Sequence, residues 1–102
     1  HDDVTHDHDD FESFLVEPGP VSDTDGFCAR IAAVAARHNV LRIKGFLAVP
    51  GRDLRHAVQA VGPRVTGYYD RAWRADEPRR SRLVAIGLKG LDRAAIAAAL
   101  KA

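Results

Sequence analysis

Sulfur is nearly missing from this sequence. Its 102 residues include one cysteine, Cys28, and no methionine. A single cysteine excludes an intramolecular disulfide and is typical of the reducing cytoplasm, where we expect the protein to work. Because translation begins with methionine, the sequence also predicts a piece of a longer protein. Its function would then be divided between this domain and one that the sequence does not contain.

Long apolar runs and the common enzyme motifs are missing too. No stretch is long enough to span a membrane or to form a signal peptide, so no membrane partner is expected. The phosphate-binding GxxxxGK[ST] and GxGxxG loops, the nucleophile elbow and Cys-x-x-Cys do not occur. We therefore expect that this chain is not an enzyme by itself.

Positively and negatively charged residues are distributed unequally along the chain. Residues 1–27 contain no lysine or arginine, whereas residues 28–102 contain all 15 basic residues. This division indicates a basic body that contacts nucleic acid, an acidic partner or its own acidic leader. Tyr68, Tyr69 and Trp73 lie among the arginines and supply stacking surfaces, but no recognised nucleic-acid motif accompanies them. Nucleic acid is therefore an unfavoured partner.

The apolar pattern changes between strand and helix periods from Phe11 onwards. The clearest helix lies within residues 22–39, where Phe27, Ile31 and Val34 recur at helical spacing. The order of elements, β-α-β-β-β-α, predicts an α+β fold, a mostly antiparallel sheet of about four strands with two helices packed mainly on one face. This order approaches a ferredoxin-like layout, from which it departs because residues 62–80 lack a helical pattern.

Two segments suggest how the strands are oriented. In the first, Leu41, Ile43, Leu47 and Val49 are expected on one face, with Arg42 and Lys44 on the other. Gly45 inside this strand indicates a bulge or a close backbone approach. The second, "RLVAIGL", is apolar on both faces, which predicts a central strand covered on two sides.

The leader, residues 1–10, contains three histidines and five aspartates. Nitrogen and oxygen ligands suit divalent ions such as Co²⁺ and Zn²⁺, and the ordering of such a segment on binding predicts weak affinity. An interdomain linker that binds metal only incidentally is an equally weighted interpretation. Cys28, His38 and His56, in the body, are expected to be structural. The candidate metal ligands are His1, His6, Asp7, His8 and Asp9.

Four stretches of residues 11–102 occur in an order that resembles one family. The chain is similar to the C-terminal domain of CobW-type GTPases, which are metallochaperones. The resemblance implies that GTP and Mg²⁺ bind an absent N-terminal domain, and that residues 1–10 are the histidine-rich interdomain linker. The stretches are "LRIKGFLAVPG", "VQAVGPR", "YYDRAW" and "RLVAIGLKGLDRAAIAAAL".

The resemblance also implies partners and a cargo. For the CobW branch it implies Co²⁺ delivery to the cobaltochelatase of cobalamin biosynthesis, while zinc-linked relatives carry similar leaders. Partner contact, chiefly with the protein's own GTPase domain, is expected at Lys44, Arg42 and Trp73. The alternative is a metal-independent interaction module whose acidic leader covers its basic face. Deletion of residues 1–10 separates the two hypotheses, because only the first predicts lost metal binding.

Overall fold

The computed structural model describes residues 10–102 of the chain. These residues form five strands and two helices, and neither helix is long and apolar enough to cross a membrane. In chain order the elements are β1 (Phe11–Val16), α1 (Thr24–His38), β2 (Val40–Leu47), β3 (Leu54–Val61), β4 (Arg64–Ala72), β5 (Arg82–Leu88) and α2 (Arg93–Ala99).

The strands form one antiparallel sheet in the order β1-β5-β2-β3-β4. β5 runs antiparallel to both β1 and β2, so β1 and β2 are parallel with β5 inserted between them. The segment β1-α1-β2 is therefore a split β-α-β unit, the element that ferredoxin-like folds contain twice. In this fold the hairpin β3-β4 takes the place of the second β-α-β unit. Residues 62–80, where a helix would be needed, form a turn, a strand and a loop instead.

The predicted α+β class and the placement of both helices on one face are confirmed. The sheet has five strands where about four were expected, so the order gains one strand. α1 begins at the N-cap Asp23, whose carboxylate accepts from the Gly26 N–H at 3.0 Å. It ends at Asn39, which adopts the left-handed conformation at φ 56°. Phe27, Ile31, Val34 and Ala35 of α1 are buried against the sheet.

The predicted face of β2 is wrong at Leu41. The register between β2 and β5 shifts between Val40 and Arg42, and this bulge turns Leu41 out, leaving it 40% exposed. Val40 takes its place in the core, together with Ile43 and Leu47. The extra residue of a bulge breaks the two-residue period, which is why strict alternation failed there.

Gly45 lies at a close approach of β2 to β5. A Cβ at this position would collide with the Arg82 carbonyl oxygen, and it would also lie 2.8 Å from Leu83 Cα. The predicted close backbone approach is therefore confirmed. Any side chain at Gly45 would force the two central strands apart.

β5 is central, as predicted, but it is covered on one face only within the described chain. Leu83 and Ala85 are completely buried beneath the helices, whereas Val84 and Leu88 on the opposite face are 40% and 54% exposed. The core lies between the sheet and the helices, and no element among residues 10–102 covers the other face of β5. Because this uncovered face of β5 is apolar and exposed, it is the candidate functional surface.

Candidate docking face

We call the sheet surface opposite the helices the open face. The strand registers align its side chains in rows that cross all five strands. One row contains Ser13, Ile86, Arg42, Val61 and Arg64. The next contains Leu15, Val84, Lys44, Gln59 and Thr66. Phe11 and Leu88 flank these rows at one end, and Arg82, Phe46, Ala57 and Tyr68 lie at the other.

One side of the open face is apolar. Phe11 pairs with Leu88 and Leu15 pairs with Val84, which gives four large apolar side chains across β1 and β5. Ile86 lies between Val84 and Leu88 on the same face and joins the two pairs into one apolar group. Each of the four is between 40% and 54% exposed. Single exposed apolar residues are common, but a contiguous group across two strands is typical of a protein-binding surface.

The middle of the open face is basic. Arg42 and Lys44 of β2 adjoin Ile86 and Val84 of the apolar side. Neither cation has a carboxylate oxygen within 4.0 Å among the side chains that the structure describes. The face therefore combines apolar contact area with free positive charge, and it suits an acidic or mixed partner.

An ion pair stacked on an aromatic ring borders this surface on β3 and β4. The Arg55 guanidinium lies over the Phe46 ring, 3.4 Å from its centroid, and donates two hydrogen bonds to the Asp70 carboxylate. Those hydrogen bonds lower the pKa of Asp70, so the pair stays ionised well into the acidic range. Because Arg55 and Asp70 neutralise each other, they add contact area to the open face and little net charge.

The sequence matches the family described as cobalamin synthesis protein cobW C-terminal domain over residues 11–102. This chain belongs to the CobW C-terminal domain family. The resemblance predicted from the four sequence stretches is thereby confirmed. Both helices, all five strands and the whole open face lie inside the matched range.

Two curated relatives carry the same name. The zinc chaperone CobW of Sinorhizobium sp is 54% identical over 97 residues, which are 95% of this chain and 27% of the relative. The zinc chaperone CobW of Pseudomonas aeruginosa is 51% identical over 71 residues, which are 70% of this chain and 19% of the relative. The chain thus spans about a quarter or less of the length of these relatives.

Two solved structures share the fold of this CobW domain. The Zn(II)-bound YjiA GTPase from E. coli superposes with a TM-score of 0.71 at 26% identity, over 94% of this chain and 30% of that chain. A Zn(II)-bound triple mutant of YjiA gives a TM-score of 0.72 at 28% identity, over 91% and 30% of the two chains. This chain thus shares its fold with part of a protein named a GTPase, while its two sequence relatives are named zinc chaperones.

Trp73, the third predicted contact residue, lies away from Arg42 and Lys44. It follows β4, and its backbone N–H donates to the Asp53 carbonyl oxygen at 2.9 Å. There it lines a shallow cleft of about 270 Å³ between the loops, together with Pro20, Pro50 and two arginines. The structure brings Arg42 and Lys44 of the CobW domain together on one face and puts Trp73 on another surface.

The predicted metal ligands His1, His6, Asp7, His8 and Asp9 lie outside the described residues. Within residues 10–102, no three histidine, cysteine, aspartate or glutamate side chains are placed to hold one metal ion. Cys28 and His56 approach each other below Gly67, where a Cβ would lie 3.2 Å from Cys28 Sγ and 2.6 Å from His56 Cε1. Burial raises the pKa of the Cys28 thiol, so this sulfur is a poor thiolate donor and acts as a packing group.

Sequence reasoning missed a polar clamp at the other edge of the sheet. Glu12 of β1 accepts hydrogen bonds from the backbone N–H groups of Gly90 and Leu91 and from Arg93 Nε, at 2.8, 3.1 and 2.7 Å. These bonds, that of Arg93 first, lower the pKa of Glu12. In the sequence, the one sign of this clamp is a carboxylate, Glu12, at a position of β1 whose side chain points to the helix side of the sheet. The clamp fixes β1 and α2 and so supports the apolar side of the open face.

Proposed function

We propose that this CobW domain is the docking module of a metal-chaperone GTPase and that its open face binds the protein's own GTPase domain. The observation that carries the proposal is the contiguous apolar group of β1 and β5 bordered by Arg42 and Lys44. GTP and Mg²⁺ would bind the GTPase domain, and this chain would hydrolyse no nucleotide by itself.

Physical chemistry supports a protein partner for this surface. Burying apolar area contributes about 25 cal/mol per Å², and the side chains between 40% and 54% exposed retain area to bury. Arg42 and Lys44 would orient the partner through carboxylates on its surface, which sets register more than affinity. A change of nucleotide state in the GTPase domain would alter this contact and transmit that state to the CobW domain.

The docking proposal is tested by placing a charge on the open face. With Val84→Asp, the longer protein and residues 11–102 should no longer differ in the amide chemical shifts of β5. A carboxylate is costly to bury in an apolar contact, and this one would also pair with Lys44, which adjoins position 84. Leu54→Asp is the matched control, since Leu54 is 44% exposed and lies off the open face. Persistent shift differences at β5 in Val84→Asp, or their loss in both variants, would refute docking through this face.

For the leader we propose weak collection of divalent metal through His6, His8, Asp7, Asp9 and His1. Tethered ligands raise the local metal concentration near a tighter site in the GTPase domain without binding tightly themselves. Calorimetric titration of Zn²⁺ and Co²⁺ should show binding to residues 1–102 and none to residues 11–102. Uptake should weaken between pH 7.5 and pH 5, since protonated imidazole cannot bind metal. Equal uptake by both chains would make the leader a plain linker.

The cargo is proposed to be zinc, because both curated relatives are named zinc chaperones. Cobalt delivery to a cobaltochelatase, which the resemblance implied, is the competing proposal. Affinity measured in solution does not choose between them, because it follows the general order of divalent ions and favours Cu²⁺ or Ni²⁺ over Co²⁺. The test is metal transfer from the loaded full-length protein to a zinc enzyme or to a cobaltochelatase.

A further inference from the structure

The loops at one end of the sheet surround an elongated cleft, and Trp73, the only tryptophan of the sequence, lines it. Its two adjoining parts, of about 320 and 270 Å³, share Pro20, Ala48 and Arg79. The strands β1, β2 and β4 end at this cleft, whereas β3 and β5 begin there. The loop cleft, as we call it, is therefore built by connections between all five strands.

Hydrogen bonds between the loops fix the walls of the loop cleft. The Val21 N–H donates to the Ala48 carbonyl oxygen, and the Ala48 N–H donates to Ser81 Oγ, both at 2.9 Å. Trp73 is half-buried and is held by its backbone hydrogen bond to Asp53. Walls that are already ordered lose little conformational entropy when a ligand binds.

The loop cleft is positively charged. Arg52, Arg79 and Arg80 line it, together with a single carboxylate, that of Glu17. Arg79 lies 2.9 Å from the Asp53 carboxylate, and Arg80 is 4.0 Å from Glu17. Both pairs are exposed and contribute little, so a partner's carboxylates can compete for these arginines. Arg52 has no carboxylate oxygen within 4.0 Å among residues 10–102.

The arrangement of donors favours an acidic peptide over a phosphate group. Phosphate sites commonly use several backbone N–H groups that converge on the anion. Here the backbone N–H groups of Ala48, Arg52 and Trp73 already donate to other atoms of the loops. The guanidinium groups are spaced along the cleft, since Arg52 lines one part, Arg80 the other and Arg79 both. An extended chain with several carboxylates matches this spacing.

We propose that the loop cleft binds an extended acidic segment of a second protein. Arg52, Arg79 and Arg80 pair with its carboxylates, and Trp73 packs against its side chains, as arginine and tryptophan do at the centres of many interfaces. The loop cleft shares no residue with the open face, so this inference does not rest on the proposed docking function. One partner can occupy each surface at the same time.

The emission of Trp73 tests the proposal, because the chain has no other tryptophan. The probe is a blocked hexaglutamate peptide, titrated into the 102-residue chain at 20 mM salt, and blocked hexaglutamine is its neutral counterpart. Hexaglutamate should give a saturable change in emission that weakens at 300 mM salt, and hexaglutamine should give none. The absence of a saturable change with hexaglutamate, or an equal change with hexaglutamine, would overturn the proposal.

Two arginine variants show whether the loop cleft is the binding site. Arg52→Gln should raise the Kd for hexaglutamate about fivefold, since it removes a cation that is free to pair with the peptide. Arg64→Gln is the matched control, because Arg64 is an exposed arginine at the opposite end of β4 from Trp73. This control should leave Kd unchanged. Equal Kd values in both variants would assign binding to the general positive charge of the chain and overturn the proposal.

Amide chemical shifts separate the loop cleft from other anion sites. Hexaglutamate should shift the amides of Ala48 and Arg52, whereas shifts confined to Arg42 and Lys44 would place the peptide on the open face and overturn the proposal. Inorganic phosphate that shifts the same loop amides with an equal or lower Kd would assign the cleft to compact anions, which also overturns it. Val84→Asp changes no cleft residue and should bind hexaglutamate with the original Kd, so the docking function and this inference fail independently.

Discussion

His56 is a buried histidine in β3 whose Nδ1 has no hydrogen-bond partner among the described residues. Its ring contacts Tyr69 edge to face, with centroids 4.9 Å apart. Desolvation lowers the pKa of His56, and the nearby Asp25 and Asp70 carboxylates offset only part of this effect. His56 was expected to be structural, and its burial on the interior strand β3 favours the neutral imidazole.

The depressed pKa of His56 predicts how stability depends on pH. The unfolded chain protonates this histidine near pH 6.5, above the folded-state value, so the unfolded state binds more protons below that pH. The free energy of unfolding should be largest above pH 6.5 and should fall as the pH is lowered towards 5.5. Urea unfolding at pH 7.5, 6.5 and 5.5 measures this slope.

Two variants show whether His56 carries the slope. His56→Phe keeps an aromatic ring against Tyr69, and His56→Leu replaces the imidazole by an aliphatic group. Neither variant titrates, so both should show a flatter dependence between pH 5.5 and 7.5. A slope equal to that of the original chain in both variants would assign the pH dependence to other groups.

At the scale of elements, the Glu12 clamp joins an edge strand to α2. Glu12→Gln removes the ion pair with Arg93 and one acceptor oxygen, so the amides of Gly90 and Leu91 should exchange with solvent several-fold faster at pH 7. Because the pKa of Glu12 is lowered, its contribution is complete above the ordinary glutamate pKa of about 4.3 and disappears as the pH falls through the lower folded-state value. The variant and the original chain should therefore converge in acid.

Glu17→Gln is the matched control for this clamp. Glu17 lies just beyond β1, and its carboxylate is 4.0 Å from the nearest guanidinium nitrogens, those of Arg80 and Arg82. Such exposed pairs contribute little, so the control should leave the exchange of Gly90 and Leu91 unchanged. Equal acceleration in both variants would show a general loss of charge on β1 instead of a specific clamp.

The helices and strands also show which parts of the fold the sequence could predict. α1 was predictable because its apolar stripe, its N-cap Asp23 and its left-handed Asn39 all agree. The outward turn of Leu41 was not, because a bulge depends on pairing with β5, which lies far away in sequence. The pattern placed Arg42 and Lys44 opposite Ile43, and the structure has them there. Double-sided apolarity in β5 has two causes, a second covering layer or an exposed docking surface, and the pattern alone does not distinguish them.

At the scale of the whole molecule, one split β-α-β unit explains both the stability and the bare face. α1, which connects β1 to β2, and α2, which follows β5, cover a single side of the sheet, and the buried residues of that side form one core. This core includes the fully buried Ile31, Ile43, Leu83, Ile96 and Leu100. Because folding relies on this side alone, the open face is free to carry residues chosen for contact.

The separation of the core from the surfaces used for contact predicts how the fold responds to removal of metal. No group of three metal ligands occurs among residues 10–102, and the proposed function treats metal as cargo held outside the core. A structural ion at 100 times its Kd would contribute about 2.7 kcal/mol. In a domain of this size that corresponds to a Tm change of roughly 10 to 20 °C. We expect the Tm of residues 1–102 to agree within about 2 °C in excess chelator and in stoichiometric Zn²⁺. A drop of 10 °C or more in chelator would show that metal stabilises the folded domain, and would reject the separation of cargo from core.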